Sequence, residues 1–447
     1  MPISKAFHHS LTVNTHMCKG CTHCMKVCPT HAIRIVNGKA LVDPKRCIDC
    51  GQCLDVCPHK AIGIEQEDFN QIFSYTHRVV IIPTTLIGQF DDDVSEQSII
   101  EALYTIGFTE VYYGEFGVDI LSALGNNKSA YADKKPIISS YCPAIVRLIQ
   151  LSYPSLLPHV NLLRTPAQIT ALYARLVLEQ KGIKSEDIGI FYVSGCAAKV
   201  AQILTPLSDT SGLIQGGLNM DVICNTLQDV LTKESVQNKE RIVYNPIPLV
   251  TQGAFLWSLI KGESEGMTAR TLAVDEIHNV IEFLELVEDD RHTEIDFLEL
   301  RSCATGCTGG VLTPRNRFLA SERIKHQALT HPTSLPSDVV KEIASLAPYL
   351  IRDLKVDRLE AKHSMKLDVD ISKALSKLEK AHAIEKVLPG IDCGLCGYPS
   401  CKILSEEIAM GNASIRSCAV LKLRQPQTLS RIEKIWGEAI ANGNSKD

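Results

Sequence analysis

No stretch of this chain approaches the roughly 18 uninterrupted apolar residues that a membrane-spanning helix needs. The apolar run from Val79 to Ile82 stops at Pro83 and reads as a buried strand. The opening Met-Pro-Ile-Ser shows no basic segment followed by an apolar one, so no secretory leader is expected. An excess of positive charge is also missing. With 46 Lys and Arg against 51 Asp and Glu, the net charge is -5, which leaves no footprint for nucleic acid or an anionic membrane. Neither a dinucleotide fingerprint nor a P-loop occurs, so direct use of NAD or ATP is not supported. A cytoplasmic, reducing location is the expectation. At 447 residues, 45% hydrophobic and 22% charged, the chain has an ordinary globular composition. Its length suits about two to four domains.

Cysteine, by contrast, is plentiful. Sixteen of seventeen cysteines fall into four groups of four. Eight lie near the N-terminus: Cys18, Cys21, Cys24, Cys28, then Cys47, Cys50, Cys53, Cys57. Cys142, Cys196, Cys303 and Cys307 are dispersed through the middle, and Cys393, Cys396, Cys401 and Cys418 lie near the C-terminus. In a reducing compartment such clusters are metal ligands rather than disulfides. Each group reads as a ligand set for an iron–sulfur cluster, so the chain moves or senses electrons. The leftover Cys224 lies in an amphipathic stretch, Asp221 to Leu231, and is expected to be a core thiol.

The N-terminal runs repeat one unit, Cys-x-x-Cys-x-x-Cys-x-x-x-Cys-Pro, each followed by an Ala-Ile pair, Ala32-Ile33 and Ala61-Ile62. Two-residue gaps let three thiolates wrap one face of a cube, and the proline ends the loop. In this bacterial ferredoxin spacing the fourth cysteine of each run serves the other cluster. One 4Fe–4S cluster is then assigned Cys18, Cys21, Cys24 and Cys57, and the other Cys28, Cys47, Cys50 and Cys53. CxxC pairs also suit zinc, but the duplicated run with proline argues against it.

Between about Arg78 and Thr313 strand-like and helix-like segments alternate. Strands are expected at 78–82, 110–113, 135–139, 189–193 and 294–300. Helices are expected at 96–106, 275–287 and from the Thr165-Pro166 start through Leu178. That succession implies an α/β domain with parallel strands. Three strands end at cysteines, in Ser139-Ser140-Tyr141-Cys142-Pro143, Val193-Ser194-Gly195-Cys196 and Arg301-Ser302-Cys303-Ala304-Thr305-Gly306-Cys307. Cofactor sites in open parallel sheets lie off the carboxyl ends of strands.

Those three segments resemble the signature segments of the iron-only (FeFe) hydrogenase large subunit, and the resemblance covers roughly residues 10 to 320. It implies that Cys142, Cys196, Cys303 and Cys307 hold a 4Fe–4S cube. It further implies that Cys307 bridges to a two-iron subcluster carrying CO and cyanide, that Lys199 contacts a cyanide, and that Pro83-Thr84 lines the other side of the pocket. The chain also departs from the family. Tyr141 stands where active members carry a proton-relay cysteine, and a phenol of ordinary pKa about 10 relays protons less well than a thiol near 8.5. The residues after Asp119 lack the family's pair of glutamates. Ser194-Gly195 replaces Met-Pro, and Arg301-Ser302 replaces Met-Ala. An arginine buried beside an anionic cofactor demands a partner, and Glu299 is the candidate.

Residues 336–385 carry Val340, Ile343, Leu346, Leu350 and Leu354 at helical spacing and suit a packed helical connector. The C-terminal cysteines resemble a small 4Fe–4S domain of corrinoid iron–sulfur proteins and electron-transport complexes, with Gly394 and Gly397 expected to turn backbone amides toward the sulfurs. Zinc stays an alternative there. The expected fold is thus α/β. A two-lobed hydrogenase-type parallel β/α core at 76–335 would be flanked by an α+β ferredoxin domain at 1–72. A connector at 336–385, a small helical 4Fe–4S domain at 386–425 and a tail at 426–447 would follow. An electron relay, accessory subunit or hydrogen-responsive sensor, impaired in hydrogen turnover and served by redox partner proteins, is the leading expectation. A slow but genuine hydrogenase acting on H2, with Tyr141 and Lys199 in catalytic roles, and an iron–sulfur assembly scaffold are the alternatives.

Overall fold

The computed structural model describes residues 9–125, 132–204, 212–234, 250–289, 294–356, 358–362, 367–368 and 370–423. The expected tail at 426–447 lies outside the described residues. The chain forms two compact units. One comprises the described parts of Met1–Thr12, Ile48–Gly51 and Ile64–Lys362; the other comprises those of Val13–Cys47, Gln52–Gly63 and His363–Asp447. Among the described residues no helix is long and apolar enough to cross a membrane.

The larger unit is α/β with two parallel sheets. A four-stranded sheet runs in the order Glu110–Tyr113, His77–Ile82, Ile188–Ser194, Gly216–Asn219. A three-stranded sheet runs Thr271–Val274, Phe297–Leu300, Ile137–Ile138. The strand His77–Ile82 shows why a continuous β-branched run folds this way. Side chains alternate across a sheet, so Val80 and Ile82 enter one hydrophobic core while Val79 and Ile81 enter another, all fully buried. Helices cover both faces, with their starts fixed locally. Ser95 accepts the Ser98 N–H at 3.1 Å to cap Glu96–Thr105, and Thr165 with Gln168 forms a capping box before Pro166–Gln180.

The expected strand at 135–139 shortens to Ile137–Ile138, since Pro136 has no N–H to pair. Ser337–Arg352 is part of this unit's core, with Ile343, Leu346, Leu350 and Leu354 buried in the same cluster as Val79 and Ile81, while Val340 is half-exposed. Cys224 is a core thiol on the helix Met220–Glu234, and burial pushes it up to about 12.

The smaller unit is built from short pieces. Ile33–Val36 pairs antiparallel with Lys39–Val42 across an Asn37-Gly38 turn, both residues at positive φ as such two-residue hairpins require. The cysteine runs form one-turn helices at His23–Val27 and Gln52–Asp55. Helices Ile371–Glu385 and Cys401–Ala409 complete it, the second capped by Ser400.

Candidate metal centres and the pocket beside the core set

Cys18, Cys21, Cys24 and Cys57 line one cavity, and all seventeen cysteines are free thiols. Burial, then the neighbouring Cys21, Cys18 and Cys57, pushes the Cys24 thiol up to about 11. The fourth cysteine of the second run therefore sits with the first three of the first run. Burial also raises Cys53, followed by Cys47, Cys28 and Cys24. In the larger unit burial raises Cys303, with Cys196, Cys142 and Cys307 as neighbours. Near the C-terminus Cys396, Cys401 and Cys418 share one apolar cluster with Leu388 and Leu404, and Cys393 acts on Cys396. Four bare thiolates crowded out of water would repel one another. Bound iron removes that repulsion, so the donor sets fit iron–sulfur clusters.

Main-chain N–H groups already aim at the sulfurs. Ala32 donates to Cys28 Sγ at 3.2 Å, Ala61 to Cys57 Sγ at 3.3 Å and Ala40 to Cys18 Sγ at 3.3 Å. Such main-chain bonds to ligand sulfurs would stabilise a reduced cluster.

Beside the core set the side chains close in. The Lys199 ammonium lies 4.2 Å from the centroid of the buried Tyr141 ring, and the Arg301 guanidinium carbon lies 4.1 Å from it. Arg301 pairs with Glu299 at 3.3 Å, as expected, and also with Glu263 at 3.2 Å, which the sequence did not flag. Glu263 takes the Ser139 hydroxyl at 2.6 Å, and Ser139 accepts the Tyr141 N–H at 3.2 Å. On the other wall Thr84 donates its N–H to Glu115 at 3.0 Å and shares a 2.8 Å bond with Ser258. The cavity left along Tyr141, Lys199, Tyr192 and Gln202 measures about 40 Å³, room for roughly three waters.

Gly310 lets two loops of the larger unit meet backbone to backbone. A Cβ there would stand 2.2 Å from the carbonyl oxygen of Gly195, so the loop after Cys307 lies directly on the loop before Cys196. Leu312 donates to that same carbonyl at 3.1 Å.

Burial pushes the Glu115 carboxyl up to about 7, against the pull of Lys199 and the Thr84 N–H. A folded pKa above the unfolded one gives stability that is full below about pH 4.5 and lost as pH rises through 7, about 3 kcal/mol in all. Glu115→Gln is expected to flatten that loss. Urea midpoints taken from pH 5 to 8 check this, and parallel curves for the two proteins would refute it.

Residues 76–226 match the family model described as the iron-only hydrogenase large subunit, C-terminal domain. About a third of the chain is thus similar to that hydrogenase domain. Residues 10–58 match a 4Fe-4S dicluster domain, and residues 388–420 match a putative Fe-S cluster domain. Both matches are to iron–sulfur domains. A subunit of the ion-translocating oxidoreductase complex from Cereibacter sphaeroides is 51% identical over 37 residues, 8% of this chain and 20% of that protein. Its counterpart from Rhodobacter capsulatus is 51% identical over 35 residues, 8% of this chain and 19% of that one. The chain thus matches about a fifth of the length of these curated relatives. Among solved structures, a variant of the FeFe-hydrogenase HydA1 from Chlamydomonas reinhardtii is 16% identical, with a TM-score of 0.49, over 64% of this chain and 94% of that one. HydA(deltaEFG), a structure concerned with stepwise H-cluster assembly, is also 16% identical with the same coverage, at a TM-score of 0.48.

Proposed function

We propose that this hydrogenase-like protein is an electron relay or accessory subunit that carries four 4Fe–4S clusters and does not turn over hydrogen. The clusters are held by Cys18, Cys21, Cys24 and Cys57; by Cys28, Cys47, Cys50 and Cys53; by Cys142, Cys196, Cys303 and Cys307; and by Cys393, Cys396, Cys401 and Cys418. Each supplies one-electron exchange at low potential, and redox proteins are the partners.

One observation carries the second half of this reading: the Tyr141 ring lies against both the Lys199 and the Arg301 cations. Lys199, which the family resemblance directs to a cyanide ligand, is engaged with an aromatic face. Arg301 is anchored there by two buried carboxylates. The residues present do not fit that unit, and Tyr141, Lys199 and Cys307 have structural or cube-holding roles in its place.

The test is an infrared spectrum of anaerobic protein co-produced with the hydrogenase assembly enzymes. No metal-bound CO or cyanide bands are expected, alongside cube signals in paramagnetic resonance and no hydrogen evolution. Sharp bands in that region would overturn the relay reading. Tyr141→Cys alone is not expected to restore them, because Arg301 and its two carboxylates stay in place.

A further inference from the structure

In the smaller unit, segments more than 360 residues apart are joined by a buried ion cluster. Glu407, on the helix Cys401–Ala409, is 1% exposed. Its Oε1 accepts from Arg46 at 3.0 Å and also from Arg34. Its Oε2 takes the Asn412 amide at 3.1 Å. Arg34 lies on the hairpin strand Ile33–Val36, and Arg46 immediately precedes Cys47. Taking Glu407 and Arg46 out of water, with Arg34 half-buried beside them, costs several kcal/mol per buried ion unless geometry returns it, so this is not the solvated charge of an ordinary helix face.

Around that cluster the backbones touch. Ile35 donates its N–H to the Gly397 carbonyl at 3.0 Å. Ile35 also lines the cavity enclosed by Cys18, Cys21, Cys24 and Cys57, while Gly397 follows Cys396 directly. Gly397 is at φ +83°, and a Cβ on it would stand 2.1 Å from the Ile35 carbonyl oxygen. Gly394 follows Cys393, and a Cβ there would come within 2.9 Å of Met25 Cε. Met25 is fully buried and follows Cys24. The Arg34 guanidinium stacks 4.9 Å from the Tyr398 ring centroid. Gly394 and Gly397 thus permit close approach of two ligand loops. One residue on each side separates the C-terminal cysteines from the first ferredoxin set.

We propose that Glu407 is a positioning residue that seats the C-terminal cysteine set on the first ferredoxin set, so that the two exchange electrons directly within this chain. Exchange of one electron oxidises one set's cluster as it reduces the other's and needs no further reactant. The C-terminal set is then a fixed terminus of the relay and not a tethered carrier. This rests on the reading that both sets hold 4Fe–4S cubes.

Paramagnetic resonance of the full reconstituted chain, reduced with dithionite, tests it. The reference is Cys393→Ala/Cys396→Ala, which removes the C-terminal cube. Spin–spin broadening is expected in the unaltered chain, and its loss, with the C-terminal signal sharpened but retained, in Glu407→Ala. Should that variant fail to fold, Gly397→Ala displaces only the loop and is expected to reduce the broadening as well. An unaltered spectrum equal to the sum of isolated clusters overturns the proposal, as does broadening undiminished in both variants. Absence of any C-terminal signal in the unaltered chain strikes the cube reading itself, and the proposal with it.

Discussion

Glu299→Ala is expected to cost the larger unit about 3–5 kcal/mol, because it leaves a buried guanidinium short of its partner. Glu299 is fully buried. One oxygen takes the Lys261 N–H at 3.0 Å and faces Arg301 at 3.3 Å. The other takes the N–H groups of Glu263 and Ser264 at 3.2 and 3.0 Å and the Ser264 hydroxyl at 2.9 Å. Alanine would remove the acceptor of all these donors at once, and each stranded donor adds its own desolvation cost. Glu299→Gln keeps an oxygen for the loop while dropping the charge, so its loss should be smaller. Trp257, whose carbonyl accepts from Arg301 and whose side chain is buried, reports locally by fluorescence in a urea titration. A change below about 1 kcal/mol, the size of an exposed pair's contribution, would show that Glu299 is not the hub of this network.

Asp49→Ala should be comparably severe, and for a reason that lies inside a ferredoxin run. Asp49 sits between Cys47 and Cys50, yet its carboxylate is fully buried against the larger unit's own residues. It pairs with Arg147 at 2.8 Å and His9 at 2.9 Å, and it accepts the Ser10 N–H at 3.1 Å. Arg147 is itself buried, on the helix Pro143–Ser152 that begins immediately after Cys142. Removing Asp49 leaves that guanidinium charged in an apolar core, at a cost of about 3–5 kcal/mol. It should also loosen the helix that places a core-set cysteine. The double variant Asp49→Ala/Arg147→Met is expected to recover most of the stability, since an apolar replacement of both partners is often tolerated. A double-mutant cycle gives the coupling directly. If Arg147→Met fails to rescue, the effect of Asp49 does not run through the pair.

How much of this was readable in advance follows from sequence separation. The ligand runs are local, with gaps of two or three residues, and the strand-end cysteines declare themselves by the apolar strand residues before them. Tyr141 was visible as a departure because it adjoins Cys142. Its two cations were not visible as its neighbours, since Lys199 and Arg301 meet it only after separate strands pair into separate sheets. Glu299 is legible as a partner for Arg301 because it lies two residues before it, at the end of the strand Phe297–Leu300. Glu263 comes from a loop outside any strand and leaves no periodic signal. Arg34, Arg46 and Glu407 look like ordinary surface charges in the sequence, and only the fold shows them buried together.

The Arg34–Arg46–Glu407 cluster also has a consequence for how the protein is made. Its basic members leave the ribosome long before their acidic partner, 361 residues after Arg46. At about 5–20 residues per second, that delay is roughly 20–70 s. The unit completed in the interval is the one whose chain lies mostly between them. During that time the nascent ferredoxin hairpin exposes the surface that Glu407 will cover. Iron–sulfur loading of the N-terminal runs therefore meets its finished scaffold only near the end of synthesis, and a chain truncated before Glu407 should yield a soluble core with poorly retained ferredoxin clusters.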